Sequence, residues 1–483
     1  MNRSIRRIAV AFMVLFLALL ANANYIQVFQ ASDLNDRADN KRVTLDEYAR
    51  ERGPIMVGGT QVAYSVKTKD DLVYLRRYRD PQLYGHLTGY YSYVLGRRGL
   101  EKAENSVLAG TDDRLFVRRI VDLITNRQPQ GGSALLTINP KAQQAAYDAL
   151  GNNRGAVVAI EPSTGKILAM VSKPTYDPNQ LSSHNANSIL KAANQLEDNS
   201  SRPMENRAAQ RRYPPGSTFK LVTAAAALSG GRYNPDSKLP APAELDLPLT
   251  TFNMKNWQNG LCGPAPQVTL TEALATSCNT AFAGLGLKVG DKALRQQAEK
   301  FGFGQEYLQD LNAATSVFPG ELNPPQLAQS SIGQYDVAAT PLQMAMVSAG
   351  IANGGKVMQP YVVAKVSGPD LKTLEVTEPQ TLSQATSPGV ARQLTQMMVN
   401  VVDHGTGAPV KIDGVSVAGK TGTAQTTPDK PPYAWFASFA PANAPQVAVA
   451  VVIEHANVGR NEISGGRLAA PVAKAVMRAV IGR

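Results

Sequence analysis

The sequence predicts a multi-domain α+β protein in which one sheet is assembled from distant parts of the chain and carries helices on its faces. Three observations point to it. At Gly155 the sequence turns to two apolar strand patterns, 156–160 and 166–171, joined by the Pro/Gly turn Glu161-Pro162-Ser163-Thr164-Gly165. Residues from about 217 to about 350 are rich in Ala, Leu and Gln and read as mostly helical, as in 221–228, 270–287 and 340–352. Strand patterns return at 416–420, 433–439 and 447–453, and an Ala-rich helical pattern closes the chain over 469–480. Strands at both ends of a segment, with helices between them, need a common sheet to bury their faces.

Ahead of this region the elements are of another kind. Arg3, Arg6 and Arg7 precede an unbroken apolar run over 8–21, and no acidic residue appears before Asp33. Two readings fit. A cleaved signal peptide would use Ala21-Asn22-Ala23 as its small-residue site. A retained anchor would extend the helix through Tyr25, Ile26, Val28 and Phe29, so that 8–29 spans a bilayer with 1–7 in the cytoplasm. Under either reading everything after residue 30 is exported. Residues 30–150 mix charges, Tyr and Gly, with only short helix-like patterns such as 103–108, and a boundary is placed near 150.

Composition bounds the chemistry. With 483 residues, 43% apolar and 18% charged, the chain is long enough for two or three domains, and collagen-like, coiled-coil and wholly disordered classes are excluded. The net charge of +11 is spread out and forms no basic tail; it is read as a solvated basic surface compatible with an anionic envelope, and no nucleic-acid partner is expected. Two cysteines exclude a disulfide scaffold, and His86, His184, His404 and His455 lie too far apart for a metal-ligand pattern, so neither metal nor cofactor is expected.

An exported enzyme of this composition needs an activated hydroxyl or a carboxylate pair. Ser217-Thr218-Phe219-Lys220 is a compact candidate, because residues at i and i+3 of a helix are neighbours on one face. A Lys amine neutralised by burial or nearby cations can take the hydroxyl proton. Tyr213-Pro214-Pro215-Gly216 forces a turn just before it and an apolar helix follows, placing Ser217 at a buried helix N-terminus. Ser163–Lys166 and Ser188–Lys191 match the same tetrad, but the first falls in a strand-to-strand turn and the second lacks this context. Two further motifs decide. Ser277-Cys278-Asn279 lies within a helical pattern, and Lys420-Thr421-Gly422, which occurs once, ends a strand. The three motifs together resemble those of penicillin-binding proteins and class A β-lactamases. A second Ser and Lys can pass a proton to a leaving amine, an Asn amide can orient peptide groups, Thr hydroxyls can bind a carboxylate, and the N–H groups of Ser217 and Thr423 can face an oxyanion.

The chain resembles the class B penicillin-binding proteins, and more narrowly the actinobacterial penicillin-binding protein A type. The likeness covers nearly the whole length, through Arg52-Gly-Pro-Ile55, Gly99-Leu-Glu-Lys-Ala-Glu104, Pro174-Thr-Tyr-Asp-Pro-Asn179, Ile332-Gly-Gln334, Thr340-Pro-Leu-Gln343, Gly405-Thr-Gly407 and Ala418-Gly-Lys-Thr-Gly-Thr423. The resemblance implies a serine β-lactamase/transpeptidase-like fold over 151–483, with an antiparallel sheet flanked by helices and an all-helical lobe. Residues 30–150 would be a pedestal or partner-binding module, and the 8–29 anchor would be retained. It implies a D,D-transpeptidase of peptidoglycan synthesis, inhibited by β-lactams. Ser217 would be the nucleophile and Lys220 its base, with Ser277 and Lys420 assisting proton transfer and Asn279 orienting the stem peptide. Thr421, Gly422 and Thr423 would bind the substrate, which would lie as an added strand beside 415–423. Stem peptides ending in D-Ala-D-Ala, β-lactams, the membrane, a separate glycosyltransferase and division or elongation proteins are the implied partners. A D,D-carboxypeptidase, a non-catalytic β-lactam sensor and a division scaffold are the alternatives. Cys278 stands where many relatives carry another residue. It and Cys262 are read either as a disulfide, stabilising by about 3 kcal/mol through loop closure, or as two buried thiols.

Overall fold

The computed structural model describes residues 3–30, 34, 47–116, 121–122, 124–125, 130–251, 253–256, 259–427 and 430–483. The first element, α1 (Arg3–Phe29), is one 27-residue helix with no buried residue, about 40 Å long at 1.5 Å per residue. Its asparagines do not break it: Asn24 Nδ2 donates to Leu20 O at 2.8 Å, so the side chain is satisfied by the helix's own backbone. Among the described residues it is the one helix long and apolar enough to cross a membrane. Most of 31–46, the start of the segment read as a pedestal, lies outside the described residues.

An N-terminal sheet begins with β1 (Ile55–Val57), β2 (Thr60–Lys67) and β3 (Tyr74–Tyr78), paired antiparallel, and β4 (Ser133–Leu136) runs parallel to β1. Behind it, Glu101 is fully buried and accepts from Arg52 Nε and Arg76 Nε, each at 2.6 Å, and from Tyr78 OH at 3.2 Å. Burial alone would raise the pKa of Glu101, but Arg76 and Arg52 outweigh it and hold the carboxyl below its ordinary value. The Arg52 and Gly99–Glu104 motifs therefore meet in one ion cluster, although they are far apart in sequence.

The second region opens with α2 (Pro140–Leu150), capped by Asn139 Oδ1 on the N–H groups of Lys141 and Ala142, with Pro140 in its first turn. The hairpin β5 (Arg154–Ile160) and β6 (Ile167–Lys173) follows, then the helices α3 (Lys220–Ser229), α4 (Leu270–Ala275), α5 (Asn279–Val289) and α6 (Pro341–Ala352). After β7 (Val363–Ser367), β8 (Thr373–Val376) and α7 (Pro388–His404) come β9 (Ala418–Ala424), β10 (Tyr433–Ala440), β11 (Val447–His455) and α8 (Ala470–Ile481). The main sheet has the order β9-β10-β11-β5-β6, antiparallel throughout. Strands 154–173 thus pair with strands near the C-terminus, the assembly the sequence predicts. The pairing of β7 and β8 with the N-terminal sheet, whose order is β8-β7-β4-β1-β2-β3, is not visible in the sequence.

Side chains of β10 and β11 alternate between two cores. Ala434, Phe436, Ala440, Val447, Val449, Val451 and Ile453 face the layer built by α2 and α8. Trp435, Ala437, Phe439, Ala448, Ala450 and Val452 face the helical lobe. The small residues on that inner face let the buried helix α6 lie close to the sheet. One expectation is corrected here. The single helix read over 270–287 is two, α4 and α5, separated at Thr276–Cys278, where Ser277 adopts φ +60°. A left-handed residue ends a helix, and apolar periodicity on both sides hides the break.

Candidate active site

The nucleophile candidate is held by a loop fixed from three sides. Tyr213 exchanges backbone hydrogen bonds with Ala339, at 2.9 and 2.8 Å, and Gly216 N donates to Gly333 O at 2.9 Å. Trp435 Nε1 donates to Pro214 O at 3.0 Å, and Thr218 Oγ1 to Pro215 O at 2.7 Å. Gly216 has φ +54°, and a Cβ there would stand 3.0–3.1 Å from Ala424, so the turn needs glycine on both counts. Tyr213 OH also donates to Glu454 Oε2 at 3.1 Å. That carboxylate is 5% exposed and takes Arg207 Nε at 2.9 Å, with Arg154 and Arg211 at 3.1 and 3.3 Å. This buried cluster behind the loop has no signal in the local sequence.

Ser217 is half-buried on a 3-10 turn, Gly216–Phe219, which runs directly into α3 at Lys220. In that geometry side chains at i and i+3 eclipse each other, so Lys220 lies under Ser217. Lys220 is wholly buried. Its Nζ donates to Ser277 O at 2.7 Å and to Asn279 Oδ1 at 2.8 Å, with Ser277 Oγ at 3.4 Å. Burial first, and then the charge of Lys420, hold its pKa well below that of an ordinary lysine. A neutral amine has two N–H donors and one lone pair. The two short contacts use both donors, which leaves the lone pair able to accept a proton.

Ser277 serves two lysines because of its backbone. Its left-handed conformation turns both its carbonyl and its hydroxyl towards the Lys220 amine. Its Oγ also accepts from Lys420 Nζ at 2.9 Å. Lys420 is wholly buried as well and donates to Thr421 O at 2.9 Å; burial lowers its pKa to about 7. Asn279 Nδ2 donates to Lys255 O at 3.1 Å, leaving its second N–H available to a substrate. Lys220, Ser277, Asn279 and Lys420, predicted from three separate motifs, form one hydrogen-bonded group.

The third motif lies on β9, the edge strand of the main sheet. Thr421 is buried with its hydroxyl 2.6 Å from that of Thr406, in the Gly405-Thr406-Gly407 segment, while Thr423 is half-exposed. A Cβ on Gly422 would meet Trp435 Cβ at 2.9 Å, Thr218 Cγ2 at 3.0 Å and Pro215 O at 3.1 Å. Glycine there seats the strand against the nucleophile turn. The sulfurs of Cys262 and Cys278 are bonded, with Cα atoms 5.6 Å apart, which joins the middle residue of the second motif to the loop before α4.

These residues can be set beside known proteins. The model of the penicillin binding protein transpeptidase domain matches residues 155–478, and that of the penicillin binding protein A dimerisation domain matches 52–134. The chain belongs to the class B penicillin-binding proteins, of the penicillin-binding protein A type. It is 47% identical over 490 residues to the peptidoglycan D,D-transpeptidase PbpA of Mycolicibacterium smegmatis, covering 100% of this chain and 99% of that one. It is 46% identical over 492 residues to PbpA of Mycobacterium tuberculosis, again across 100% and 99% of the two chains. The fold is similar to that of penicillin-binding protein A from M. tuberculosis solved as its ceftriaxone acyl-enzyme, with a TM-score of 0.88 and 45% identity over 90% of this chain and 100% of that one.

Proposed function

We propose that this chain is a peptidoglycan D,D-transpeptidase that cross-links stem peptides through an acyl-Ser217 intermediate and is inactivated by β-lactams, as its relatives' names and acyl-enzyme structures support. The observation that carries the reading is the buried amine of Lys220, three residues on from Ser217 at the start of the same helix and held by Ser277 and Asn279. The neutral amine takes the Ser217 proton as Oγ attacks the carbonyl of the penultimate D-Ala. The oxyanion points at the N–H groups of Ser217 and Thr423. When the C–N bond breaks, the terminal D-Ala leaves as an amine and takes its proton from the Lys220–Ser277–Lys420 chain. An amine of a neighbouring stem then attacks the ester, and its proton restores the Ser217 hydroxyl. Asn279 orients the donor peptide, the Thr421 and Thr423 hydroxyls hold its carboxylate, and Thr406 directs that of Thr421.

The edge position of β9 supports a stem peptide bound as an added strand. For the whole chain we propose a cytoplasmic segment 1–7, an anchor over 8–29, a pedestal or partner-binding module over 30–150 and the transpeptidase domain over 151–483, outside the membrane. A separate glycosyltransferase would supply the glycan strands, and division or elongation proteins would dock on the module. The test is labelling of the full chain in detergent by a fluorescent penicillin, comparing wild type with Ser217→Ala. Stoichiometric, long-lived labelling that vanishes in the variant is expected. A folded wild type that takes no label would remove the catalytic assignment.

A further inference from the structure

The helix that presents Asn279 lacks its own cap. Its N-cap residue is Cys278, which makes no side-chain cap hydrogen bond and is committed to the disulfide with Cys262. The first backbone N–H groups of α5 would therefore have no partner within their own helix. They are instead taken by a residue more than twenty positions earlier. Asn256 Oδ1 accepts from Asn279 N and Thr280 N, each at 3.0 Å. Its Nδ2 donates to Pro242 O and Gly260 O, also at 3.0 Å, and the side chain is 7% exposed. Thr280 Oγ1 gives its proton to Pro242 O at 2.8 Å. The neighbouring Lys255 O accepts from Asn279 Nδ2 at 3.1 Å.

We infer that Asn256 is a positioning residue for the reaction: it caps α5 across the chain and thereby holds the Asn279 amide where its oxygen meets Lys220 and its free N–H meets the donor peptide. Four features support this. The two acceptor contacts fall on the two N–H groups that begin the helix. Both N–H donors of the Asn256 amide are used, which fixes which way the amide faces. Residues before and after it are tied to the same motif, Lys255 through Asn279 Nδ2 and Cys262 through its disulfide with Cys278. The Asn279 side chain is itself half-exposed and bonded at both ends, to Lys220 and to Lys255 O, so a shift of its backbone anchor would strain both bonds. The hydrogen bonds of Asn256 reach Asn279 and not Ser217, Lys220 or Lys420, so it acts through Asn279.

The inference rests on the proposed role of Asn279 in acylation, and its test separates the two. Second-order rates of fluorescent-penicillin labelling are measured on the full chain for wild type, Asn256→Ala, Asn279→Ala and the double variant, with circular dichroism melts as the folding control. Labelling of the wild type that disappears in Ser217→Ala upholds the function itself. Asn256→Ala is expected to slow labelling at least tenfold in the wild-type background and less than twofold in the Asn279→Ala background, because a residue that acts through another loses its effect when that other is gone. Should Asn256→Ala fail to fold, Asn256→Leu, similar in size and unable to accept, replaces it in the cycle. Equal fold-losses in the two backgrounds, or an effect below twofold, would each overturn the inference.

Discussion

Removing one hydroxyl tests the proposed proton path more sharply than removing a lysine. In Ser277→Ala the backbone keeps its left-handed turn, and Lys220 keeps its two short acceptors, Ser277 O and Asn279 Oδ1, losing only a contact at 3.4 Å. Lys420 loses its 2.9 Å bond to Oγ and retains Thr421 O at 2.9 Å and the longer Thr421 Oγ1 contact at 3.5 Å. The cost is thus one hydrogen bond to a chargeable buried amine, about 1.5–3 kcal/mol, or a slowing of roughly 10- to 150-fold at 1.4 kcal/mol per decade. The assay is the second-order rate of acylation by penicillin, followed by stopped-flow fluorescence on protein whose melt matches the wild type. A folded variant within threefold of wild type would show that the hydroxyl is not in the path. A loss greater than about 10⁴-fold would give Ser277, and not Lys220, the role of base.

The other predictions concern charge and packing. Because burial and Lys420 hold the Lys220 amine neutral well below the usual lysine range, acylation should already be fast at neutral pH and fall only as acid protonates that amine; a rate that rises tenfold per pH unit up to pH 10 would contradict this. Lys420 titrates near 7 when folded and near 10.4 when unfolded, so the unfolded chain binds more protons between those values and this residue's contribution to stability rises with pH across that window. Urea titrations from pH 7 to 10 should show a shallower rise in Lys420→Met than in wild type, and identical slopes would refute it. Gly422→Ala places a Cβ within 3.1 Å of three groups, including Trp435 and the nucleophile turn, and should cost about 1–3 kcal/mol while slowing acylation at least tenfold; an unchanged rate would mean that the strand need not touch the turn. Glu101→Gln leaves Arg52 and Arg76 buried without a counter-charge and should destabilise the protein by about 3–5 kcal/mol, read as a lowered urea midpoint, and an unchanged midpoint would show that the cluster is solvated.

What could be read from the sequence was local. The turn before Ser217, its tetrad and the apolar helix after it are contiguous, and the strand ending in Lys420-Thr421-Gly422 carries its own pattern. So the residues that form the hydrogen-bonded group at the candidate site could be named before their distances were known. What could not be read depends on pairings between distant segments. Nothing near Val363–Ser367 tells that it will complete the N-terminal sheet by pairing with Ser133–Leu136. Glu454 reaches Tyr213 and Arg207 across the sheet, and Asn256 reaches α5 through a loop, with no periodicity to announce either. Thr406 was in view as a motif residue, yet its contact with Thr421 is a property of the fold. The break at Ser277 was hidden because apolar spacing continues on both sides while one residue takes a positive φ.

The central claim is acyl transfer from Ser217 to an amine. It is tested most directly by giving the full chain uncross-linked peptidoglycan made by a separate glycosyltransferase and analysing the digested product by mass spectrometry. The account predicts cross-linked muropeptide dimers with one D-Ala released per cross-link, both lost in Ser217→Ala and in penicillin-treated enzyme. Release of D-Ala without dimers would make water the acceptor and the chain a carboxypeptidase, and a product unchanged by folded, penicillin-reactive enzyme would contradict the account.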